Sequence, residues 1–273
     1  MLKLRRDDMA TRAFDVATIL KAFVTLDKEK GIGEWKSVND FQEKIFALLD
    51  KYGNQIEELA DLTCKVEVVS ALELVVVAIL DKKIKWLEGI ARDSKVIFDD
   101  NIFSAFKLDR SCAIFQISDF CEPLLRINTQ SGDKLWIMMH EELNGVELFF
   151  QALSIMESEK RMHPDYEMSP TAIIPDVKFK LQPDIHLLNG SKSGNTDWQV
   201  VKATQEFELN IDRRGVQVKV ETRMTLFRCC FDVTPRKEKI VVNKPFIGWF
   251  TQGESLFPLA VFYADSDSWK KKM

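Results

Sequence analysis

Apolar positions recur at helical spacing early in the chain. Phe14, Ile19, Leu20 and Phe23 share one face, and residues 9–60 read as helical with a break at Gly31-Ile32-Gly33. Beyond the break Val38, Phe41, Ile45, Leu48 and Leu49 share a second face. Ser37 is placed to cap the start of that helix and Gly53-Asn54 to end it. The pattern then changes. Val66 to Leu80 is rich in Val and Leu and suits a strand buried on both faces, although periodicity alone also admits a buried helix. Strand-like runs follow at Val96–Phe98, Cys112–Ile117, Leu124–Ile127 and Leu135–Met139. Ser131-Gly132-Asp133 joins the last two as a hairpin. Gly145 to Ile155 reads as a short amphipathic helix. Residues 158–176, with Pro164, Pro170 and Pro175, read as a surface connection. Further strands are expected at Val177–Leu181, Phe207–Ile211, Val216–Thr222, Ile240–Val242 and Leu259–Phe262, with Asn189 to Thr196 as a loop. Helices followed by many antiparallel strands give an α+β fold class.

The 273 residues, 46% hydrophobic and 29% charged, are enough for a sizeable core and argue against disorder. A net charge of −4 argues against a nucleic-acid or anionic-membrane partner, and Lys270-Lys271-Lys272 reads as a short solvated tail. Residues 1–8 lack the apolar stretch of a secretory signal, and no run is long enough to span a bilayer. The five cysteines (Cys64, Cys112, Cys121, Cys229, Cys230) are unpatterned and read as reduced thiols, so a cytoplasmic or nuclear location is expected.

Catalytic signatures are missing. The chain has no G-x-S-x-G, Walker loop, H-E-x-x-H or C-x-x-C, and His140, His163 and His186 stand in unrelated contexts. Neither a metal site nor a cofactor is expected, and nothing gathers a nucleophile, a base and an orienting group; the chain does not read as an enzyme.

One segment points elsewhere. Ile240 to Ile247, with Asn243-Lys244-Pro245-Phe246 at its centre, resembles the C-terminal signature of the serpins. Gly248 departs from the large apolar residue expected there. Ser255-Leu256-Phe257 and Leu259-Ala260-Val261-Phe262 resemble the final buried strand of that family. Val77 to Trp86 resembles the central strand of its main sheet and the turn ending in Trp86. Asp93 to Phe98 follows at the usual place. Phe120 to Met139 resembles its proline-containing hairpin, Gly145–Leu153 the helix after it, and Ile174 to Phe179 its Pro-x-Phe strand. Val200 to Gly215 resembles the strand leading to the reactive loop. The pieces keep serpin order from about Val38 to Phe262.

The resemblance implies a serpin-like domain over 1–273, with mixed and antiparallel sheets and packed helices. Its N-terminal helices are reduced, residues 1–37 match poorly, and a helix and strand are lost between Phe179 and Gly215. The shortening fits a compact serpin such as some large DNA viruses carry, a truncated isoform or a decaying gene product. The resemblance also implies a protease partner and a reactive loop over 213–239. Its hinge would run Gly215, Val216, Gln217, Val218, Lys219, Val220, Glu221, Thr222, with valines in place of the family's alanines. β-branched residues favour the inserted strand, whereas their bulk slows entry into a tight slot. Counting along the loop puts the scissile bond near Arg228, Cys229 and Cys230. Arg228 would invite trypsin-like proteases and Asp232 an Asp-directed cysteine protease. A non-inhibitory binding or decoy role on the same scaffold remains open, as does an ordinary surface loop without a target.

Overall fold

The computed structural model describes residues 12–59, 62–87, 91–109, 111–117, 120–141, 143, 145–159, 171–220 and 239–272. Three helices and three sheets are built from them.

The N-terminal region is helical only in part. Ala13–Phe14 forms a two-residue strand, β1, paired with Phe262 and Val261, so Phe14 is a strand residue rather than the first helical one. Helix α1 (Val16–Lys30) starts at Asp15, whose carboxylate accepts from Ala17 N at 3.2 Å. It ends at Gly31, which takes the left-handed conformation (φ 63°) while its N–H and that of Ile32 close on Asp27 and Leu26 carbonyls. Helix α2 (Asp40–Glu58) is capped by Asn39, not Ser37: the Asn39 side chain accepts from Gln42 N at 2.9 Å, and the Gln42 side chain reaches back to Val38 N at 2.9 Å. Gly53-Asn54 does not end it. Gly53 lies where a side chain would meet Val24 of α1, and the helix continues because Ile56, one turn on, is buried in the core.

The Val66–Leu80 run is two strands, β2 (Thr63–Ser70) and β3 (Glu73–Ile84), joined by a turn at Ala71-Leu72. Ser70 Oγ accepts from Leu72 N at 3.2 Å and supplies a turn without Gly or Pro. The hairpin is half exposed; burial on β3 is complete only at Leu80, Lys82 and Ile84. Next come β4 (Arg92–Phe98) and β5 (Asn101–Leu108). They are joined by Asp99 and Asp100, both at positive φ (45° and 59°), as a two-residue hairpin requires. Then follow β6 (Cys112–Phe115), β7 (Leu124–Asn128), β8 (Lys134–Met139) and helix α3 (Val146–Glu159). Residues 171–175 are not a surface connection: Thr171–Pro175 is the buried strand β9. The remaining strands are β10 (Val177–Leu181), β11 (Phe207–Asp212), β12 (Gly215–Val220), β13 (Lys239–Val241), β14 (Phe246–Thr251) and β15 (Leu259–Ala264).

A six-stranded sheet runs β1-β15-β14-β8-β7-β6, a five-stranded sheet β10-β11-β12-β3-β2, and a four-stranded sheet β13-β9-β5-β4. Only β13 with β9 is parallel among these pairs. Every residue of β14 and β15 is buried, and one contiguous apolar core joins all three sheets and the helices. The α+β class read from the chain is the class observed.

Asp15 fastens α1 to this core. Its backbone N–H donates to Gln205 Oε1 at 3.1 Å, Gln205 Nε2 returns to Asp15 O at 2.9 Å, and Ala260 N donates to Asp15 Oδ1 at 3.3 Å. Asp15 Oδ2 has no partner among the described residues. Burial pushes the carboxyl up to about 6, against the opposing hydrogen bonds of Ala260, Thr18 and Ala17. A raised folded-state pKa stabilises the fold below the unfolded value, and that stability is lost as pH rises through about 6. Asp15→Asn keeps the capping oxygen. Above about pH 7 it is expected to be more stable than the parent by about 2 kcal/mol, and near pH 4 the difference is expected to close. Urea unfolding of both proteins across that range measures it.

Candidate functional site

The centre of the five-stranded sheet is the segment singled out as a hinge. Strand β12 leaves β11 through the tight turn Arg213-Arg214 and runs antiparallel to β11 on one side and β3 on the other. Val216 is registered with Ile211 and Ile84, and Val218 with Leu209 and Lys82. Alternation sends both valines into the core, 3% and 1% exposed, while Gln217 faces solvent. The slot between β11 and β3 thus accepts β-branched side chains at native packing. Lys219 and Val220 continue the ladder opposite Asp81 and Leu80.

Glycine is required at the entrance. Gly215 has φ 136°, and a Cβ there would stand 2.1 Å from Ile84 O. Beside it Trp86 is buried, stacked on Phe106 at 5.3 Å, and its Nε1–H donates to Asp212 O at 3.0 Å. Asp212 is the last residue of β11. Burial raises its pKa, but hydrogen bonds from Arg214 and the charges of Arg214 and Lys270 outweigh that and hold it below the usual carboxylate range. Arg214 lies 2.7 Å from Asp212, and Arg213 lies 2.8 Å from Asp93 of β4.

Below the valines is a buried ion pair that the sequence reading missed. Lys82 and Asp133 are each 6% exposed and pair directly; Ser131 Oγ donates to Asp133 Oδ2 at 2.6 Å. The pair ties β3, at the position registered with Val218, to the β7–β8 turn. Trp86 and Thr129 form a bridge nearby, and Gln130 N donates to Lys85 O at 2.9 Å. The signal was present: Lys82 stands in the inward phase set by Leu80 and Ile84.

Of the predicted hinge, Gly215 to Val220 form β12, whereas Glu221 and Thr222 lie outside the described residues. So do Arg228, Cys229, Cys230, Asp232 and His163. Among the C-terminal residues, Asn243 lies in the link from β13 and Lys244 pairs with Glu122 at 2.6 Å on the surface. Pro245 O accepts from His140 N at 3.0 Å, and Phe246 is buried. Pro245 precedes β14, an interior strand between β8 and β15, where its missing N–H removes no ladder bond. Gly248 is small because Phe262 of β15 fills the space: a Cβ at Gly248 would come within 2.4 Å of that ring.

Among the described residues, the titratable side chains Cys112 and His186 are placed as follows. Cys112 is buried, and burial pushes its thiol up to about 12, away from reactive thiolate character. His186 is exposed and paired with Asp184. Among the described residues, no cluster of three metal-ligating side chains is present, and no helix is long and apolar enough to cross a membrane.

No family model matches the sequence, and no curated protein matches it. Solved structures do match. A cleaved serpin, Serpin 42Da, superposes with a TM-score of 0.59 at 10% identity, covering 95% of this chain and 92% of that one. This chain has the serpin fold. The thermophilic serpin tengpin in its native state superposes at 0.53 with 8% identity over 96% and 90% of the two chains. Thyroxine-binding globulin in complex with thyroxine gives 0.56 with 9% identity over 92% and 91%. Another form of cleaved Serpin 42Da matches at 0.51 with 13% identity, over 70% of this chain and 55% of its own length. Three α-helices are described, and β12 stands between β11 and β3 in the five-stranded sheet.

Proposed function

We propose that this serpin-fold chain inhibits serine or cysteine endopeptidases by offering the residues beyond Val220 as bait, its hinge being the segment that enters the main sheet as β12. The observation that carries the reading is the slot: Val216 and Val218 are buried between β11 and β3 with full register on both sides. The valines therefore do not overpack it. In this reading the observed arrangement is the inserted state: a hinge that starts in solvent would release free energy on entering the slot by burying apolar area and completing two ladders, and that release would deform an attached protease. Because the protease would be held as its own acyl-enzyme, the chain needs no nucleophile of its own.

A second reading has its own support. β12 is paired on both sides in an uncut chain, which leaves the sheet no vacant slot to fill after cleavage. The similarity to thyroxine-binding globulin, a serpin-fold protein solved with a bound ligand, is compatible with a non-inhibitory binding role.

Incubation with trypsin-like, granzyme-like and caspase-like proteases, followed by denaturing electrophoresis and mass spectrometry, separates the two. The inhibitor reading expects an SDS-stable complex and a thermal stability that rises after cleavage. Val216→Arg places a charge between Ile211 and Ile84, where it has no partner. It is expected to cut the yield of complex at least about tenfold while the loop is still cleaved. Cleavage without a complex in the parent protein favours the binding role, and an unaltered complex yield in Val216→Arg sinks the insertion mechanism.

A further inference from the structure

The five-stranded sheet has two unlike edges. At one, β10 is closed by the C-terminal segment: Val177 bridges to Trp269, and Lys178 N donates to Ser268 O at 3.0 Å. At the other, β2 has no further strand beside it among the described residues. Open edges are commonly blunted by proline, by bulges, by charged side chains or by covering elements, and the charges on β2 are Lys65 and Glu67. β2 contains no proline, and the irregularity in its pairing with β3 lies near the tip, between Val68 and Ser70, leaving Thr63–Val68 regular. Helix α1 packs against β2 as well as β3. Towards the tip the surface is apolar: Val68 is 62% and Leu72 91% exposed. Pairing with β3 sets Val66 and Val68 beside Val76 and Leu74 on the same face.

The strand is complementary to itself. Set antiparallel to a second copy about Val66, it places Lys65 opposite the second copy's Glu67 and Glu67 opposite its Lys65. Cys64 falls opposite Val68, and Thr63 opposite Val69. Lys65 and Glu67 already pair along the strand, both well exposed. Across the two-fold axis they complete a square of alternating charge on one face, with Val66 and Val68 of both copies adjoining on the other. Any other register by two residues along the strand breaks this match.

We infer that β2 is a homodimer edge: two copies of this chain join β2 to β2 about Val66, making one continuous sheet of ten strands. The contact is isologous and therefore closes at two copies instead of growing into a filament. The axis lies across β3 from β12, so the dimer leaves the strand slot untouched, and the inference does not depend on protease inhibition.

Sedimentation of the full chain over a wide concentration range tests it. A dimer in exchange with monomer is expected. Lys65→Glu or Glu67→Lys sets like charges opposite each other twice across the axis, and each should weaken the dimer at least about tenfold. The double reversal Lys65→Glu/Glu67→Lys restores complementarity and should restore the parent affinity. Val66→Cys should give, on mild oxidation, a covalent dimer whose digest contains the peptide linked through position 66 to itself. A monomer at every concentration, a dimer indifferent to the single reversals, or one that does not cross-link through position 66 overturns the assignment.

Discussion

Replacing Asp133 by Asn is expected to lower stability by about 3–5 kcal/mol, among the largest effects of any single polar substitution in this chain. Lys82 and Asp133 are both buried, and the Asp133 carboxylate is held in place by Ser131 as well as by the lysine. Asparagine fits the same space and keeps the contact with Ser131, but it removes the carboxylate charge that faces the buried Lys82 ammonium. The asymmetry separates this from ordinary packing loss. Breaking one partner of a buried pair strands a charge, whereas removing both does not. The double variant Lys82→Met/Asp133→Asn is therefore expected to regain most of the loss, although each single variant is poor. Urea denaturation of the four proteins gives the coupling directly. Single variants that differ from the parent by less than about 1 kcal/mol would mean that water reaches the pair and that it does not tie β3 to the β7–β8 turn.

The pair also shows where reading the sequence succeeds and where it stops. The α+β class, the main strands and the hairpin at Ser131-Gly132-Asp133 are legible because alternation and turn chemistry are local. The serpin resemblance is legible because short segments such as Asn243 to Phe246 keep their order along the chain. What fails is decided by tertiary contact. The turn at Ala71-Leu72 has no Gly or Pro, so two strands read as one. Asp99-Asp100 forms a hairpin turn in place of the usual Asn-Gly, with Asn101 Nδ2 bonding to Asp99 O at 2.8 Å. Thr171–Pro175 follows a proline-rich stretch and looks like surface, yet it is buried between β5 and β13. Gly53 looks like a helix end but lies inside α2, which runs on to bury Ile56. Gly248 breaks the resemblance locally, and the compensating bulk is Phe262, a residue fourteen positions away in the adjacent strand. The Lys82–Asp133 pair joins residues 51 apart in sequence, and no local pattern names that partner. The strand from Gly215 to Val220 was legible from the alternating valines; its place between β11 and β3 was not.

Gly215→Ala is expected to destabilise the strand slot by about 3 kcal/mol or more, with β12 the first element lost. Two effects act together. A φ of 136° is poorly accessible to any residue with a Cβ, and the Cβ would lie 2.1 Å from Ile84 O and 3.1 Å from Ile84 C. Backbone atoms of a central strand cannot give way as a flexible side chain does, so either β3 shifts or β12 leaves the sheet. Losing β12 returns Val216 and Val218 to water at about 1.5–3 kcal/mol each, which makes outright expulsion costly and a strained, loosened slot the alternative. Gly132→Ala is the control. That glycine also has positive φ (80°), but nothing lies within 4 Å of the added carbon, so only the conformational term of about 1 kcal/mol applies. Thermal unfolding together with limited proteolysis distinguishes them: Gly215→Ala should melt markedly lower than Gly132→Ala and become cleavable within residues 215–220. Equal melting of the two variants would mean that β12 does not press against Ile84, and the slot geometry on which the inhibitory reading rests would fall with it.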